Sequence, residues 1–343
     1  MRARTSVGCR PWVLANPAPS RSRPTVTARS RCTSCICGSS AVAGGRRLIG
    51  VLSRLSSISF VERISPRLRM SDDFARAYTA LLDRWPPDRA DLDVPHRFGT
   101  TRVYLTGPPS APPVVLLAGG GATAAVWWAV AGRLSASHRV CAVEMTEDFT
   151  TTRPARTPDD LAAWFGDVLD GLHLGPDGAQ ATVVGHSYGG WVALNGALTH
   201  PKRVARLVLL DPTTCFGGFS VSYLLHAMPF LLRPSARRLD RLLDWETGGT
   251  GLDPLWRTVT TQRVGRPSPK LVIPKRPKPA DLRHLKVPVA LVLAKRSRAH
   301  RPARIRAMAE SCLCRLDIVE LPHATHHSLP TEHPDEIAAV VGR

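Results

Sequence analysis

The sequence predicts an α/β protein built on a mostly parallel twisted sheet with helices on both faces. Three observations carry this. From about residue 70, short β-branched or Leu-rich runs alternate with helical periodicity, the pattern of a parallel sheet covered on both sides. Around Gly185-His186-Ser187-Tyr188-Gly189, an apolar run, a Gly-rich turn and a helical pattern follow one another without a gap. The alternation lapses once, between Pro212 and Pro288, and then resumes, so the lapse is an insertion between two strands.

The elements follow in order. Ser71–Trp85 has helical periodicity, with Ser71 as a cap and acids in the first turn, and stops at Pro86-Pro87. Arg102–Leu105 reads as a short strand, and Pro113–Leu117 as a buried strand entering the turn Ala118-Gly119-Gly120-Gly121. Arg139–Met145 is a further strand. Thr157 caps a helix with Pro158 at its first position, running through Leu161, Phe165, Val168 and Leu172. Thr182-Val183-Val184 is a buried strand, and Trp191, Leu194 and Leu198 share one face of the helix after it, which stops near His200-Pro201. Arg206–Leu210 ends at Asp211-Pro212. Phe219–Leu232, Arg237–Trp245 and Pro254–Thr261 are helical and precede a Pro/Lys/Arg-rich stretch, Arg266–Pro279. Val287–Ala294 and Asp317–Leu321 are the last strands, and Pro334–Val341 is the closing helix. The expected organisation is a core of residues 70–211 and 286–343, with residues 212–285 as a helical cap over the carboxyl ends of the strands. Ligands bind at that edge in open α/β sheets. The cap is rich in Leu, Phe, Met and Trp, which predicts an apolar pocket beneath it.

Residues 1–69 differ from the rest. They hold 13 arginines, no lysine and one acid, Glu62, and so carry +12 of the formal net charge of +19. Composition of this kind does not bury enough apolar surface to order itself. Three readings compete: an organelle presequence, a disordered tail, and an over-extended start with the natural one at Met70, which we favour. With +7 left on the 274 residues beyond, nucleic-acid binding is not expected. No run of about 18 apolar residues predicts a membrane span. Cys32, Cys35 and Cys37 lack a second ligand pair for a metal. Cys141, Cys215, Cys312 and Cys314 read as small packed residues, so nothing demands an oxidising compartment and a cytoplasmic protein is expected.

The segment 185–189 has the G-x-S-x-G form of a nucleophile elbow. A serine hydroxyl becomes a useful nucleophile only when it is held exposed beside a base, and a strained strand-to-helix turn does that. Such a turn crowds its neighbours, which accounts for Gly185 and Gly189 two residues before and after Ser187. His323, His326, His327 and His333 cluster near the end of the chain, but they lie on an irregular loop without a partner motif, so no metal is expected.

Taken together, the Gly-rich turn Ala118–Gly121, the elbow at Ser187, the insertion after the strand ending at Asp211, and Ala324-Thr325-His326 after the last strand resemble the α/β-hydrolase superfamily over nearly all of residues 95–343. The resemblance implies Ser187 as nucleophile and His326 as base, with His327 as competitor. It implies an oxyanion hole from the backbone N–H groups of Gly120 and Tyr188. Ala118 stands where the family usually has a histidine, which removes a supporting side chain but not the donor. The loop where the family most often carries its acid, Ala294–Arg301, has no carboxylate, and Ser297 occupies roughly that position. A family variant places the acid one strand earlier, which makes Asp211 the candidate; Asp-Pro is also a common turn opener. The expected activity is cleavage of an ester or related acyl bond of a small apolar substrate, without metal or organic cofactor. Carbon–carbon-bond hydrolysis and peroxidase-type chemistry use the same serine constellation, whereas members that react through an elbow Asp are excluded. The alternative is a hydrolase-fold protein that binds a small apolar ligand with little turnover.

Overall fold

The computed structural model describes residues 72–145, 153–175, 178–266 and 271–343. The extension 1–69, the favoured start at Met70 and the Ser71 cap lie outside the described residues.

Eight strands form one sheet: β1 (Ala90–His96), β2 (Gly99–Thr106), β3 (Pro113–Leu117), β4 (Arg139–Val143), β5 (Ala181–His186), β6 (Val204–Leu210), β7 (Val289–Ala294) and β8 (Leu316–Leu321). Their spatial order is β1-β2-β4-β3-β5-β6-β7-β8. β1, β2 and β4 pair antiparallel, and every pair from β4 to β8 is parallel. The expected strands are therefore present, with ends within three residues of those read from the sequence. β1, which the sequence reading did not contain, is the addition. Its sequence Ala-Asp-Leu-Asp-Val-Pro-His carries acids and a proline, as suits the solvated edge of a sheet.

The central strands are apolar over most of their length because both faces are covered. Along β3, Val115 and Leu117 join one core while Val114 and Leu116 join the other; β6 and β7 alternate likewise. One face is covered by α3 (Pro158–Gly171), α4 (Tyr188–Thr199) and α9 (Pro302–Cys312), which bury Phe165, Trp191, Leu194 and Ile305. The other is covered by α1 (Asp72–Leu82), a 3-10 turn at Ala124–Trp127, α2 (Trp128–Leu134), the short α10 (Leu329–Glu332) and α11 (Pro334–Val341), which bury Phe74, Trp127, Leu329 and Ile337. α3 starts as expected: Thr157 accepts from the Asp160 N–H, and the Asp160 carboxylate accepts from the Thr157 N–H in return.

Between β6 and β7 come α5 (Val221–Leu232), α6 (Ala236–Thr247), α7 (Pro254–Gln262) and α8 (Pro279–His284). Ser235 and Asp253 cap α6 and α7. α6 packs on α5 and α7, and α7 packs on α1, so Leu243, Trp256 and Val259 of the insertion belong to the same core as Phe74 and Leu81. α9 in turn packs against α8.

β4 lies on one side of β3 and β5 on the other. Chain order therefore reverses beside β3, and open α/β sheets form their ligand-binding crevice at the carboxyl ends of such a point. The Gly-rich turn leaves β3 and the Ser187 turn leaves β5, so both border that crevice.

Candidate active site

Ser187 sits between β5 and α4 at φ 53°, ψ −116°, a backbone conformation few L-residues adopt. The two glycines flanking it are required by close approach. A Cβ on Gly185 would lie 2.4 Å from the Gly189 carbonyl oxygen, and one on Gly189 would lie 2.3 Å from the carbonyl oxygens of Leu117 and Ala118. The elbow is thereby pressed against the turn after β3.

His326 Nε2 lies 2.9 Å from Ser187 Oγ, and His326 Nδ1 lies 2.6 Å from Asp211 Oδ2. Asp211 follows β6 directly, itself at φ 41°, and is fully buried. Its Oδ1 accepts from the Ala294 N–H at 3.2 Å, and its Oδ2 accepts from Ser297 Oγ at 2.7 Å. Ser297, which stands where a carboxylate was sought, thus donates to the carboxylate of the neighbouring strand. His300 Nε2 is a further 3.1 Å from Asp211 Oδ2, without hydrogen-bond geometry. Burial alone would raise the Asp211 pKa. The charge and close approach of His300 and the hydrogen bond from His326 overcome it and hold the carboxyl far below the usual range. Conversely, burial opposes protonation of His300, but the adjacent Asp211 prevails and its pKa is raised.

His327 does not face the serine. Its Nδ1 is 2.9 Å from Oε2 of Glu246, a buried carboxylate on α6. Oε1 of the same group accepts from the His326 N–H at 3.0 Å. Burial would raise the Glu246 pKa, but its hydrogen bond and charge contact with His327 win and lower it to about 2. On the other side of the loop, His186 Nε2–H donates to the His326 carbonyl oxygen at 2.8 Å. Burial, reinforced by the His326 ring, lowers the His186 pKa to about 3, so this ring is neutral. His326 therefore has both backbone polar groups and its Nδ1 fixed by partners from three different segments.

Glu246 and His186 were not read from the sequence. His186 had one available signal, a polar ring at the variable position of an otherwise apolar strand–turn. Glu246 had none, because it lies 80 residues from the backbone it holds.

Gly120 packs on Tyr188: a Cβ on Gly120 would lie 3.3 Å from Tyr188 Cβ and 3.0 Å from Leu271 Cδ1. The two expected oxyanion donors are thus on adjacent backbone. The turn that lacks the family's histidine at Ala118 closes with the Ala122 N–H donating to the Gly119 carbonyl at 3.0 Å. The Glu144 carboxylate accepts from the Ala124 N–H at 2.9 Å just beyond it. Above the elbow, Tyr188 Oη donates to the Val272 carbonyl at 3.1 Å and Trp191 Nε1 to the Lys275 carbonyl at 2.8 Å. These two bonds lay the stretch 271–278, which has no regular secondary structure, across the start of α4.

Asp211, His300 and His326 form a trio whose ligand-type atoms lie within 4.8 Å of one another. Ligands about 2 Å from a tetrahedral zinc stand more than about 3 Å apart. The 2.6 Å separation of His326 Nδ1 from Asp211 is instead that of a hydrogen bond. The four-histidine cluster does not converge: His323 is exposed and His333 faces Glu336. Among the described residues no helix is long and apolar enough to cross a membrane.

Carboxylesterase YbfK of Bacillus subtilis (strain 168) is 32% identical over 178 residues, which cover 51% of this chain and 58% of that protein. The chain spans a little over half the length of two curated relatives that it matches, 58% and 56%. The crystal structure of naproxen esterase from Bacillus subtilis superposes with a TM-score of 0.72 at 24% identity, covering 80% of this chain and 99% of that one. The crystal structure of carboxylesterase CesB (YbfK) from the same organism gives 0.69 at 26% identity, covering 78% and 95%. The family model described as "Alpha/beta hydrolase family" matches residues 114–340, from β3 into the last helix, and so spans both Ser187 and His326. On that match, this chain belongs to the alpha/beta hydrolase family.

Proposed function

We propose that this protein is a serine esterase that cleaves a small apolar ester through an acyl-enzyme, with Ser187, His326 and Asp211 as its catalytic triad. The observation that carries the reading is the unbroken run Ser187 Oγ–His326 Nε2 (2.9 Å) and His326 Nδ1–Asp211 Oδ2 (2.6 Å). The likeness to proteins named carboxylesterases supports it.

His326 takes the Ser187 proton on Nε2 as Oγ bonds to the substrate carbonyl carbon. The negative charge that forms on the carbonyl oxygen is received by the N–H groups of Gly120 and Tyr188. Buried and ionised, Asp211 fixes the His326 tautomer and stabilises the imidazolium. The tetrahedral adduct collapses by breaking the ester C–O bond, and the departing alcohol takes the Nε2 proton. Water then gives one proton to His326 and attacks the acyl carbon. The adduct expels Ser187 Oγ, which recovers that proton, and the carboxylic acid leaves. Residues 212–285 act as the cap over this site, with Leu271 against Gly120 and the 271–278 stretch over α4 supplying apolar cover. Cys141, Cys215, Cys312 and Cys314 are unpaired, which suits a reducing, cytoplasmic setting.

The test is labelling by a fluorophosphonate probe together with hydrolysis of short p-nitrophenyl esters. Ser187→Ala should abolish both. Asp211→Asn should lower kcat by about 10⁴-fold while leaving a measurable residue. A protein that neither labels nor outpaces Ser187→Ala refutes the esterase, and an unchanged rate in Asp211→Asn removes Asp211 from the triad.

A further inference from the structure

Helix α5 is apolar on both sides. Tyr223 and Ala227 turn toward α6, where the Tyr223 ring lies 6.2 Å from Trp245 and Ala227 is buried. On the opposite side Val221, Leu224, Leu225, Met228, Leu231 and Leu232 recur at helical spacing and face solvent, with Val221 74% and Leu232 73% exposed. A contiguous apolar stripe of this length is not a stable end state for a surface in water; it marks a binding face. Nearby, Arg276 approaches Gly218 just before the helix, and Ile273 on the same 271–278 stretch is 83% exposed.

The segments that flank α5 in sequence are basic, and the acids Asp240 and Asp244 of α6 pair with Arg257 of α7. Residues 212–239 and 254–280 contain no Asp or Glu. Arg233 follows the helix directly, and Arg237, Lys275, Arg276 and Lys278 are exposed beside it. An apolar helix face with a basic surround is the composition of a segment that lies in the interface of an anionic bilayer, apolar side chains among the acyl chains and cations at the phosphates. A second copy of this chain fits less well, because a twofold contact through the stripe would set the two basic surrounds against each other.

We propose that the outer face of α5, with Ile273 and the surrounding Arg and Lys residues, docks this protein onto an anionic phospholipid surface. Docking places the insertion, and the crevice it borders, at the lipid boundary. Binding does not depend on turnover, so it stands or falls separately from the esterase reading.

The experiment uses the full chain with vesicles of phosphatidylcholine alone and of phosphatidylcholine mixed with phosphatidylglycerol. Sedimentation measures partition, and amide hydrogen exchange locates the contact, separating it from any attraction through the basic residues 1–69. The expected result is protection of 221–232 by the mixed vesicles only. Leu225→Glu/Leu232→Glu should cost that protection and at least about tenfold in partition. Both side chains are exposed, so the thermal midpoint should match the parent; Leu225→Ser/Leu232→Ser is the milder pair should the charged one fold poorly. Vesicle binding without protection of 221–232 overturns the proposal, as does absence of binding. Protection of 221–232 that appears without vesicles as protein concentration rises also overturns it, in favour of self-association.

Discussion

At the residue scale the site is governed by groups buried in one charge state. His186 is neutral in the fold, with its pKa lowered to about 3 from 6.5. Unfolding frees it to take a proton below pH 6.5. Stability therefore falls as pH drops from 6.5 toward 3, by at most about 1.4 kcal/mol per pH unit from this ring. His300 works in a different window: its raised pKa gives stability that is complete below 6.5 and lost as pH rises through its folded value. Glu246 adds acid sensitivity between 4.5 and about 2, since its lowered pKa contributes stability above that range. The prediction isolates His186. Urea midpoints of the parent should fall between pH 7 and pH 5, and His186→Gln should show a smaller fall over the same range whatever its absolute stability. Equal slopes would contradict the burial of a neutral ring.

At the element scale, starts and turns are set by local chemistry that the sequence displays. Thr157→Ala removes an N-cap and half of a reciprocal pair, and should cost about 1 kcal/mol of stability in urea unfolding, with no change in ester hydrolysis. Gly189→Ala is of another kind. Its methyl would meet two backbone carbonyls at 2.3 Å, which a side-chain rotation does not relieve. The same reasoning explains which elements were legible. β3 and β7 show as unbroken apolar runs, and β5 and β6 as nearly so, because both faces are buried. β1 was missed because it is a short edge strand with acids and a proline, which reads as loop. α9 begins Pro-Ala-Arg-Ile-Arg and offers only Ile305, Ala309 and Cys312 to the core, too sparse a stripe to stand out.

At the scale of the whole molecule, the insertion between β6 and β7 holds the loop that carries His326. The carboxylate of Glu246 on α6 holds the His326 N–H and the His327 side chain. Glu246→Gln can still accept one bond but loses the charge, and Glu246→Ala leaves the buried N–H unpaired at about 1–3 kcal/mol. We expect kcat to fall in the order parent, Gln, Ala, with fluorophosphonate labelling slowed in parallel and KM little changed; a change confined to KM would place Glu246 in substrate binding instead. Such long-range ties are what a single sequence hides. Ser187 and its glycines form a contiguous motif and could be read directly. The choice of His326 over His327, and the role of Ser297 beside Asp211, depend on distances between segments 80 or more residues apart.

The position of Asp211 bears on how chains of this kind are sorted. A survey that looks for a carboxylate in the loop after the penultimate strand meets Lys295, Arg296, Ser297 and Arg298 here and files the chain among degenerate members. Measured across the fold, the carboxylate bonded to His326 stands after the preceding strand, and Ser297 of the later loop donates a hydrogen bond to it. Inventories of inactive relatives drawn up from that one loop will therefore include proteins whose hydrogen-bonded chain from serine to carboxylate is complete.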